Sequence, residues 1–288
     1  MSLPKLEVME NIATYIAPHI LGNKTIKEFL ALQMFINPDK GEKLNYIIIG
    51  TTSTGKTEVC RFVSKVLVGK SSFVQRDATP VGCREKIIGS NGGIVYFDEL
   101  DKAKKDMRNM LLEALQNGTV TIDKANEHIT YDAKICATAL VNPPSMELSK
   151  EIPLYSQISF AKDYYLLNRF HFILPIYSAD ASIYPDIAEK YEEKRYTEED
   201  IVNRLREIVY SVKQEVPTVE LNREITRSVG EYIRYLKEIN YNNMLITPRL
   251  IEGFLSAVKA RARMCLRKQA KEEDVEYVKR IYTEITSL

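Results

Sequence analysis

A chain of 288 residues, of which 45% are hydrophobic and 27% charged, has ordinary globular composition, which excludes intrinsic disorder as a description of the whole. Its 40 basic and 39 acidic residues leave a net charge of +1, so the protein is not a polycation that coats nucleic acid or anionic lipid indiscriminately. Any contact with nucleic acid must therefore be a local patch.

The cysteines and the apolar runs exclude further classes. The 4 cysteines lie far apart without a CxxC pair, and only 3 histidines are present, so we expect neither a zinc cluster nor a disulfide framework. No apolar run approaches the ~20 residues that a membrane span needs, and the first residues lack the pattern of a secretion signal. We expect no membrane association and a reducing, cytoplasmic compartment.

The first part of the chain alternates between helix and strand signals. Helices are predicted at 5–16 and 25–36, the second with Asn23 as its cap. Residues 44–49 are largely apolar and precede a glycine, which is typical of a parallel strand covered on both faces. A helix at 55–68 and strands at 72–75 and 93–97 follow. This alternation predicts an α/β domain.

The period of the apolar residues changes after residue 117. An amphipathic helix is predicted at 101–117, closed by Gly118. Beyond it Val120, Ile122, Ile129 and Tyr131 alternate with polar residues, which predicts a hairpin around residues 124–127. A further buried strand is predicted at 135–141.

The C-terminal part is predicted to be helical. Residues 186–200 are rich in Glu and Lys, as in a solvated connection or an exposed helix, and they mark the expected domain boundary. Helices are predicted beyond it at 201–214, 221–239, 248–266 and 271–286. The expected domains are an α/β domain with N-terminal helices at 1–182, and the connection with a helical domain at 183–288.

A phosphate-binding loop is predicted between the 44–49 strand and the helix after it, where the sequence satisfies G-x-x-x-x-G-K-[ST]. In such a loop backbone N–H groups and the helix N-terminus face phosphate oxygens, a lysine reaches the outer phosphates, and a hydroxyl serves Mg²⁺. The alternative is a chance glycine-rich turn, which the strand–loop–helix context disfavours. The expected cofactor-binding residues are Gly50, Thr51, Thr52, Ser53, Thr54, Gly55, Lys56 and Thr57.

Two adjacent carboxylates, Asp98 and Glu99, end the apolar strand at 93–97. In phosphoryl transfer the two members of such a pair have different roles. Asp98 can hold Mg²⁺ through water, while Glu99 orients and deprotonates the attacking water. An exposed strand end is the simpler alternative. The phosphate-binding loop upstream favours the catalytic interpretation.

Asn142 ends the strand at 135–141 and precedes Pro143. It is expected at the carboxyl edge of the sheet, where open α/β folds bind ligands, and an amide there can position water beside a terminal phosphate. The alternative is a simple turn residue before proline.

These motifs together resemble those of AAA+ ATPases, and more narrowly the motor module of the minichromosome maintenance (MCM) replicative helicases. The resemblance implies an AAA+ P-loop NTPase fold, with a parallel central sheet flanked by helices and a C-terminal α-helical lid domain. It covers residues 10–285 approximately, and it rests on 16–22, 26–27 and 31–33, on 96–102, on 115–125, on 166–170 and on 247–249.

The resemblance implies a ring, usually a hexamer, with ATP and Mg²⁺ between neighbouring subunits. Lys56, Thr57, Asp98, Glu99 and Asn142 would act on their own subunit's ATP. Two further residues, Arg169 as the arginine finger and Arg249 as the second sensor, would reach the nucleotide of the next subunit. Without the resemblance, Arg169 would be taken for a surface or salt-bridged arginine, and Arg249 for a residue that follows the cap at Thr247.

The resemblance also makes Lys124, at the expected hairpin tip, the candidate contact to single-stranded DNA in the ring channel. The alternative is an ordinary solvated turn lysine. A second set of basic residues is expected to form only a solvated helix face: Lys259, Arg261, Arg263, Arg267, Lys268 and Lys271.

The chain departs from the family pattern at several points. The 42 positions from Lys56 to Asp98 are too few for the extra hairpin that the family inserts there. The phosphate loop carries Gly55 and Thr57 where the family usually has alanine and serine, and His171 stands where it usually has aspartate. We expect a divergent branch that retains ATP chemistry.

The function predicted from these observations is an ATP-hydrolysing, ring-forming MCM-type motor that acts on DNA, as a helicase or translocase in replication. The rival hypothesis is a MoxR-like AAA+ chaperone or assembly ATPase that acts on protein. A homologue that binds nucleotide without hydrolysing it is a third possibility, against which the complete set of site residues argues.

Overall fold

The computed structural model describes residues 9, 11–124, 127–145, 147–177, 182, 185–186, 189, 198–239 and 246–287. A five-stranded parallel sheet has the strand order β2-β3-β6-β1-β7, and a separate antiparallel pair is formed by β4 and β5. The strands are β1 (Tyr46–Gly50), β2 (Ser71–Val74), β3 (Ile94–Phe97), β4 (Thr119–Lys124), β5 (Glu127–Asp132), β6 (Cys136–Val141) and β7 (Phe172–Ile176).

Helices cover both faces of the sheet. In chain order they are α1 (Ile12–Tyr15), α2 (Lys24–Met34), α3 (Lys56–Val66), α4 (Pro80–Gly89), α5 (Lys105–Asn117), α6 (Tyr164–Leu167), α7 (Glu198–Glu215), α8 (Arg223–Glu238), α9 (Pro248–Met264) and α10 (Glu272–Thr286). Short 3₁₀ helices lie at Pro38–Lys40, Leu100–Lys102 and Leu154–Gln157. The expected parallel α/β fold with C-terminal helices is confirmed.

The side chains of β1 alternate between two hydrophobic cores. Tyr46 and Ile48 pack with α2, α3 and the C-terminal helices, whereas Ile47 and Ile49 pack with α4, α5 and the base of the hairpin. Because both faces of the strand are buried, its sequence is continuously apolar rather than alternating. The same two-sided burial explains the apolar run of β3.

The C-terminal helices share one core with α2 and α3, so burial of their apolar faces holds them against the sheet. The predicted connection at 186–200 falls almost entirely outside the described residues, and the domain limits 1–182 and 183–288 stay a prediction. Among the described residues, no helix has both the length and the apolar character that crossing a bilayer requires.

Several sequence expectations differ from the structure. Strand β7 was not predicted, because Pro175 lies within it; the strand tolerates proline since it forms an edge of the sheet. The helix expected at 5–16 is α1 over Ile12–Tyr15 within the described residues. Asn23 precedes α2 with a left-handed backbone and makes no side-chain cap, because its amide donates instead to the Thr54 carbonyl at 3.0 Å.

The expectation that the basic run of α9 forms a solvated face is wrong for Arg263. This side chain is 0% exposed, and its guanidinium donates to the Glu42 carboxylate and to the carbonyls of Phe35, Val216 and Pro217. A buried guanidinium needs such a full set of acceptors, and no periodicity of the sequence reveals them.

Candidate nucleotide-binding site

The loop between β1 and α3 has a backbone that only glycine fits at two points. A Cβ on Gly50 would lie 2.7 Å from the Ile176 carbonyl oxygen, and one on Gly55 would lie 2.9 Å from Ile20 Cγ2. Gly55 also has a φ of 79° and Ser53 a φ of 66°, both left-handed. The loop therefore curls at the N-terminus of α3, as phosphate binding requires.

The ammonium group of Lys56 folds back over this loop. It donates to the carbonyls of Gly50 at 2.9 Å and Thr51 at 2.7 Å, and to Asn142 Oδ1 at 2.8 Å. Burial lowers the pKa of Lys56, against the opposing effect of Asp98 and nearby carboxylates. An anionic phosphate at this position would replace neutral carbonyl partners with a charged one.

Thr57 and Asp98 meet at the start of α3, where the threonine hydroxyl donates to Asp98 Oδ1 at 3.3 Å. A hydroxyl beside a carboxylate is the hard-oxygen donor set that Mg²⁺ prefers. The residues present therefore fit the ion, with Thr57 and Asp98 as the groups that would hold it.

The carboxylate of Glu99 receives three donors. Lys102 Nζ lies 2.6 Å and Asn142 Nδ2 3.2 Å from Oε1, while Arg76 Nη1 lies 2.8 Å from Oε2. The bond from Lys102 is the main reason why the pKa of Glu99 is lowered, and Arg76 adds to the effect. Glu99 is also held at a φ of 52°, a left-handed conformation that is uncommon for a side chain of this size.

Sequence reasoning missed Arg76 and Lys102 as partners of Glu99. Arg76 follows β2, which is the neighbour of β3, so the carboxyl ends of these parallel strands place Arg76 near Glu99. Lys102 lies three positions after Glu99, within a single 3₁₀ turn. The contact of Arg76 depends on the strand order, which the sequence alone did not supply, whereas the contact of Lys102 is local to one turn.

The predicted phosphate-loop, carboxylate and amide residues line one cleft of about 380 Å³, which includes Thr52–Glu58, Asp98, Glu99 and Asn142. They lie at the carboxyl ends of β1, β3 and β6, which are adjacent in the sheet. This is the edge where open α/β sheets bind ligands. The structure thus brings together Lys56, Thr57, Asp98, Glu99 and Asn142, whose catalytic roles stay a prediction.

Arg169 and Arg249 occupy a different place. Arg169 Nη2 donates to Gln116 at 3.0 Å, and Arg249 Nη1 donates to Glu252 at 2.5 Å. Burial lowers the pKa of Arg169, and the nearby Arg249 adds to the effect. A pocket of about 520 Å³ beside them is lined by Asn168, Thr247, Pro248, Arg249 and Glu252. It shares no lining residue with the phosphate-loop cleft.

The two sites lie at opposite edges of the sheet. Arg169 precedes the amino end of β7, where Phe172 pairs with Tyr46, whereas the phosphate loop follows Gly50, which pairs with Ile176. Four residue steps of a strand, at ~3.3 Å each, separate these edges by about 13 Å. Arg169 of one chain therefore lies near the edge of the sheet opposite the phosphate loop of the same chain.

The hairpin of β4 and β5 pairs Thr119 with Asp132 and Lys124 with Glu127. It begins directly after α5 and ends before β6, so its base lies at the amino edge of the sheet. The predicted strands are confirmed, and Lys124 ends β4. Ala125 and Asn126 lie outside the described residues, and the DNA contact of Lys124 stays a prediction.

The chain is similar to MCM proteins in sequence. The MCM P-loop domain family matches residues 82–190, a segment that includes Asp98, Glu99, the hairpin, Asn142 and Arg169. The minichromosome maintenance protein MCM of Saccharolobus solfataricus is 27% identical over 93% of this chain and 43% of its own length. An uncharacterized MCM-type protein of Methanocaldococcus jannaschii is 26% identical over 96% of this chain and 46% of its own.

This chain is an AAA+ module of the MCM family. A plant relative, the DNA replication licensing factor MCM5 of Arabidopsis thaliana, is 30% identical over 48% of this chain and 22% of its own length. The MCM module described here spans less than half the length of each of these curated relatives. The resemblance seen in the sequence is confirmed at the level of the family and of its AAA+ fold.

The shortened spacing of this MCM module is confirmed as well. Every residue from Lys56 to Asp98 is described, and the segment contains only α3, β2, α4 and β3 with their loops. No additional hairpin is present in this stretch.

Proposed function

We propose that this MCM module binds ATP with Mg²⁺ in the phosphate-loop cleft, hydrolyses it, and acts as one subunit of a ring, a hexamer, that moves along or remodels DNA. The observation that carries the proposal is the assembled group of Lys56, Asn142 and Glu99, linked by hydrogen bonds beside Asp98. The MCM relatives support the same conclusion, and neither they nor the described residues favour the MoxR-like alternative.

In this mechanism the loop N–H groups and Lys56 would hold the β- and γ-phosphates. Thr57 and Asp98 would hold Mg²⁺, which when bound would supply positive charge beside the transferred group. Glu99 accepts a proton from the attacking water, and Asn142, hydrogen-bonded to both Lys56 and Glu99, orients that water against the γ-phosphate.

Arg169 and Arg249 act on the nucleotide of the neighbouring subunit. The structure supports this division, because Arg169, with Arg249 nearby, precedes the amino end of β7, whereas the phosphate loop follows the carboxyl end of β1. An arginine supplied by a neighbouring subunit stabilises the transition state and can raise the rate of hydrolysis about 10³- to 10⁵-fold. We further propose that residues 183–288 act as a lid on the α/β domain at 1–182.

Mixing two inactive variants tests the shared site. Arg169→Ala subunits retain an intact phosphate loop, and Lys56→Ala subunits retain intact arginines, so mixed rings contain some complete sites. Recovery of ATP hydrolysis in the mixture is expected. A mixture as inactive as each variant at every ratio would contradict the shared site.

The proposed action on DNA is tested by ATPase rates with and without single-stranded oligothymidylate. We propose that Lys124, at the end of β4, contacts the phosphate backbone in the channel of the ring. Lys124→Ala should reduce the stimulation by DNA, whereas Lys268→Ala, an exposed lysine of the helical part, should not. Equal rates with and without DNA in the unmodified protein would exclude a DNA-driven motor.

A further inference from the structure

The imidazole of His171 is held in a single tautomer. The residue is 6% exposed, and its Nδ1 accepts a hydrogen bond from the backbone N–H of Asn45 at 2.9 Å. A nitrogen that accepts cannot carry the proton, so the neutral ring carries it on Nε2. Burial lowers the pKa of His171, which keeps the ring neutral.

The protonated nitrogen faces Glu252. His171 Nε2 lies 3.7 Å from Glu252 Oε2 and has no hydrogen-bond partner among the described residues. The approach is close because Gly253 lacks a side chain: a Cβ there would lie 2.5 Å from His171 Cβ. The start of α9 therefore packs directly on the imidazole.

The same oxygen of Glu252 holds Arg249. Arg249 Nη1 contacts Glu252 Oε2 at 2.5 Å, so this one atom lies between an imidazole N–H and a guanidinium. The imidazole N–H of His171 and the guanidinium of Arg249 both lower the pKa of Glu252. The other charged groups that face His171 are Lys43, which precedes β1, and Arg249 itself.

We propose that His171 is a positioning residue for Arg249, whose guanidinium it orients through Glu252. This inference rests on the proposed role of Arg249 and adds the residue pair that sets its direction. Without the imidazole N–H, Glu252 would be free to rotate with Arg249 as an exposed ion pair. Hydrogen bonds of this kind are often long in a free enzyme and shorten in the reacting complex, which fits the separation of 3.7 Å.

Two substitutions separate the two nitrogens of His171. His171→Asn places an amide oxygen near the Nδ1 position, where it still accepts from Asn45, and leaves nothing near Glu252. His171→Gln reaches the Nε2 position, where its amide donates to Glu252, but it leaves the Asn45 N–H without an acceptor. The first variant removes the contact to Glu252, and the second removes the contact to the backbone.

The experiment measures ATP hydrolysis and thermal unfolding of both variants. We expect His171→Asn to lower kcat about 10- to 100-fold with little change in KM, because an angstrom of misplacement at a reacting group has an effect of this size. His171→Gln should keep kcat within about 3-fold at a temperature where it is folded, and lower the Tm instead. The opposite ranking would show that His171 serves only the fold.

A third variant set links the effect to Arg249. In the Arg249→Ala background, His171→Asn should have no further effect on kcat, because the group that it orients is already absent. If His171→Asn lowers kcat by the same factor with and without Arg249, so that the two losses in kcat multiply, the proposal is overturned.

The inference and the proposed function fail in distinguishable ways. Urea unfolding of His171→Asn, Glu252→Gln and the double variant measures the His171–Glu252 coupling without any ATPase assay. If the shifts in urea midpoint of the two single variants add up in the double variant, the contact between His171 and Glu252 is contradicted, even if the enzyme is active. Absence of ATPase activity in the unmodified protein, with the coupling present, would instead refute the role proposed for Arg249.

Discussion

Arg263 of α9 and Glu42, which precedes β1, form a bidentate ion pair in the interior. Arg263 Nη1 donates to Oε2 at 2.9 Å and Nη2 to Oε1 at 2.6 Å. The pair joins the C-terminal helices to the chain segment that leads into the central strand.

Removal of one partner should therefore destabilise the whole protein. Arg263→Met leaves the Glu42 carboxylate buried without its cation, and we expect a loss of about 3–5 kcal/mol in the free energy of unfolding. Urea unfolding measures the loss. Lys268→Met, at an exposed position close by in sequence, is the control and should change the stability by less than about 0.5 kcal/mol. Equal effects of the two substitutions would contradict the interior pair.

The donors around Glu99 predict how its basicity can be raised. Lys102 and Arg76 both lower the pKa of Glu99 and so weaken it as a proton acceptor. Lys102→Ala should raise the ATPase rate without DNA by about 2- to 10-fold, in line with the dependence of general-base catalysis on pKa. Steady-state ATP hydrolysis checks this, with Lys104→Ala, an exposed neighbour, as the control. A fall in rate would mean that Lys102 is needed to orient the carboxylate.

The stability of the protein should depend on the charge of Lys213, which lies on α7. Burial and the nearby Arg263 lower the pKa of Lys213 from 10.5 to about 8. The unfolded chain therefore binds the proton more tightly, so this lysine destabilises the fold below pH 8, and stability is regained as the pH rises from 8 to 10.5. Lys213→Met should raise the stability by about 1–3 kcal/mol at neutral pH.

The pH dependence provides the check on Lys213→Met. Its gain in Tm over the unmodified protein should shrink as the pH approaches 10.5, the value for an unburied lysine. Lys237→Met, on the exposed side of α8, should show neither the gain nor its pH dependence. A constant gain at all pH values would indicate better packing rather than relief of a charge.

Two tyrosines of α6 predict where neighbouring subunits meet. Tyr164 is 64% and Tyr165 77% exposed. They lie five and four positions before Arg169, and exposed aromatic residues close to an arginine have the composition of interface centres. Tyr165→Ala should weaken the self-association proposed here by about 30-fold, which corresponds to ~2 kcal/mol. Sedimentation velocity over a concentration series measures it. Tyr210→Ala, at a residue 65% exposed on α7, should leave the association unchanged.

Local signals were sufficient to predict the parts of the fold that are defined by short segments. The phosphate loop, the apolar β1 and β3, and the hairpin each carry their pattern within about a dozen residues, and all were predicted close to their observed limits. Asn142 was placed at the sheet edge from a single strand end. These elements account for the phosphate-loop cleft.

Contacts between distant segments were not predictable in the same way. Arg263 and Glu42 are separated by 221 positions, so periodicity on α9 made Arg263 look solvated. Strand β7 carries Pro175, which local rules exclude from strands and only its edge position permits. The meeting of Arg76 with Glu99, and of His171 with Glu252, likewise required the strand order and the packing of α9 on β7.

The placement of the two sites at opposite edges of one sheet would give the proposed ring a direction. Each copy would contribute a phosphate loop on one side and an arginine pair on the other, so the contacts in that ring would repeat head to tail rather than face to face. An open arc of such copies always ends with one loop that receives no arginine. Every site is complete only in a closed ring. An open arc would therefore have a lower ATPase rate per copy than the closed ring.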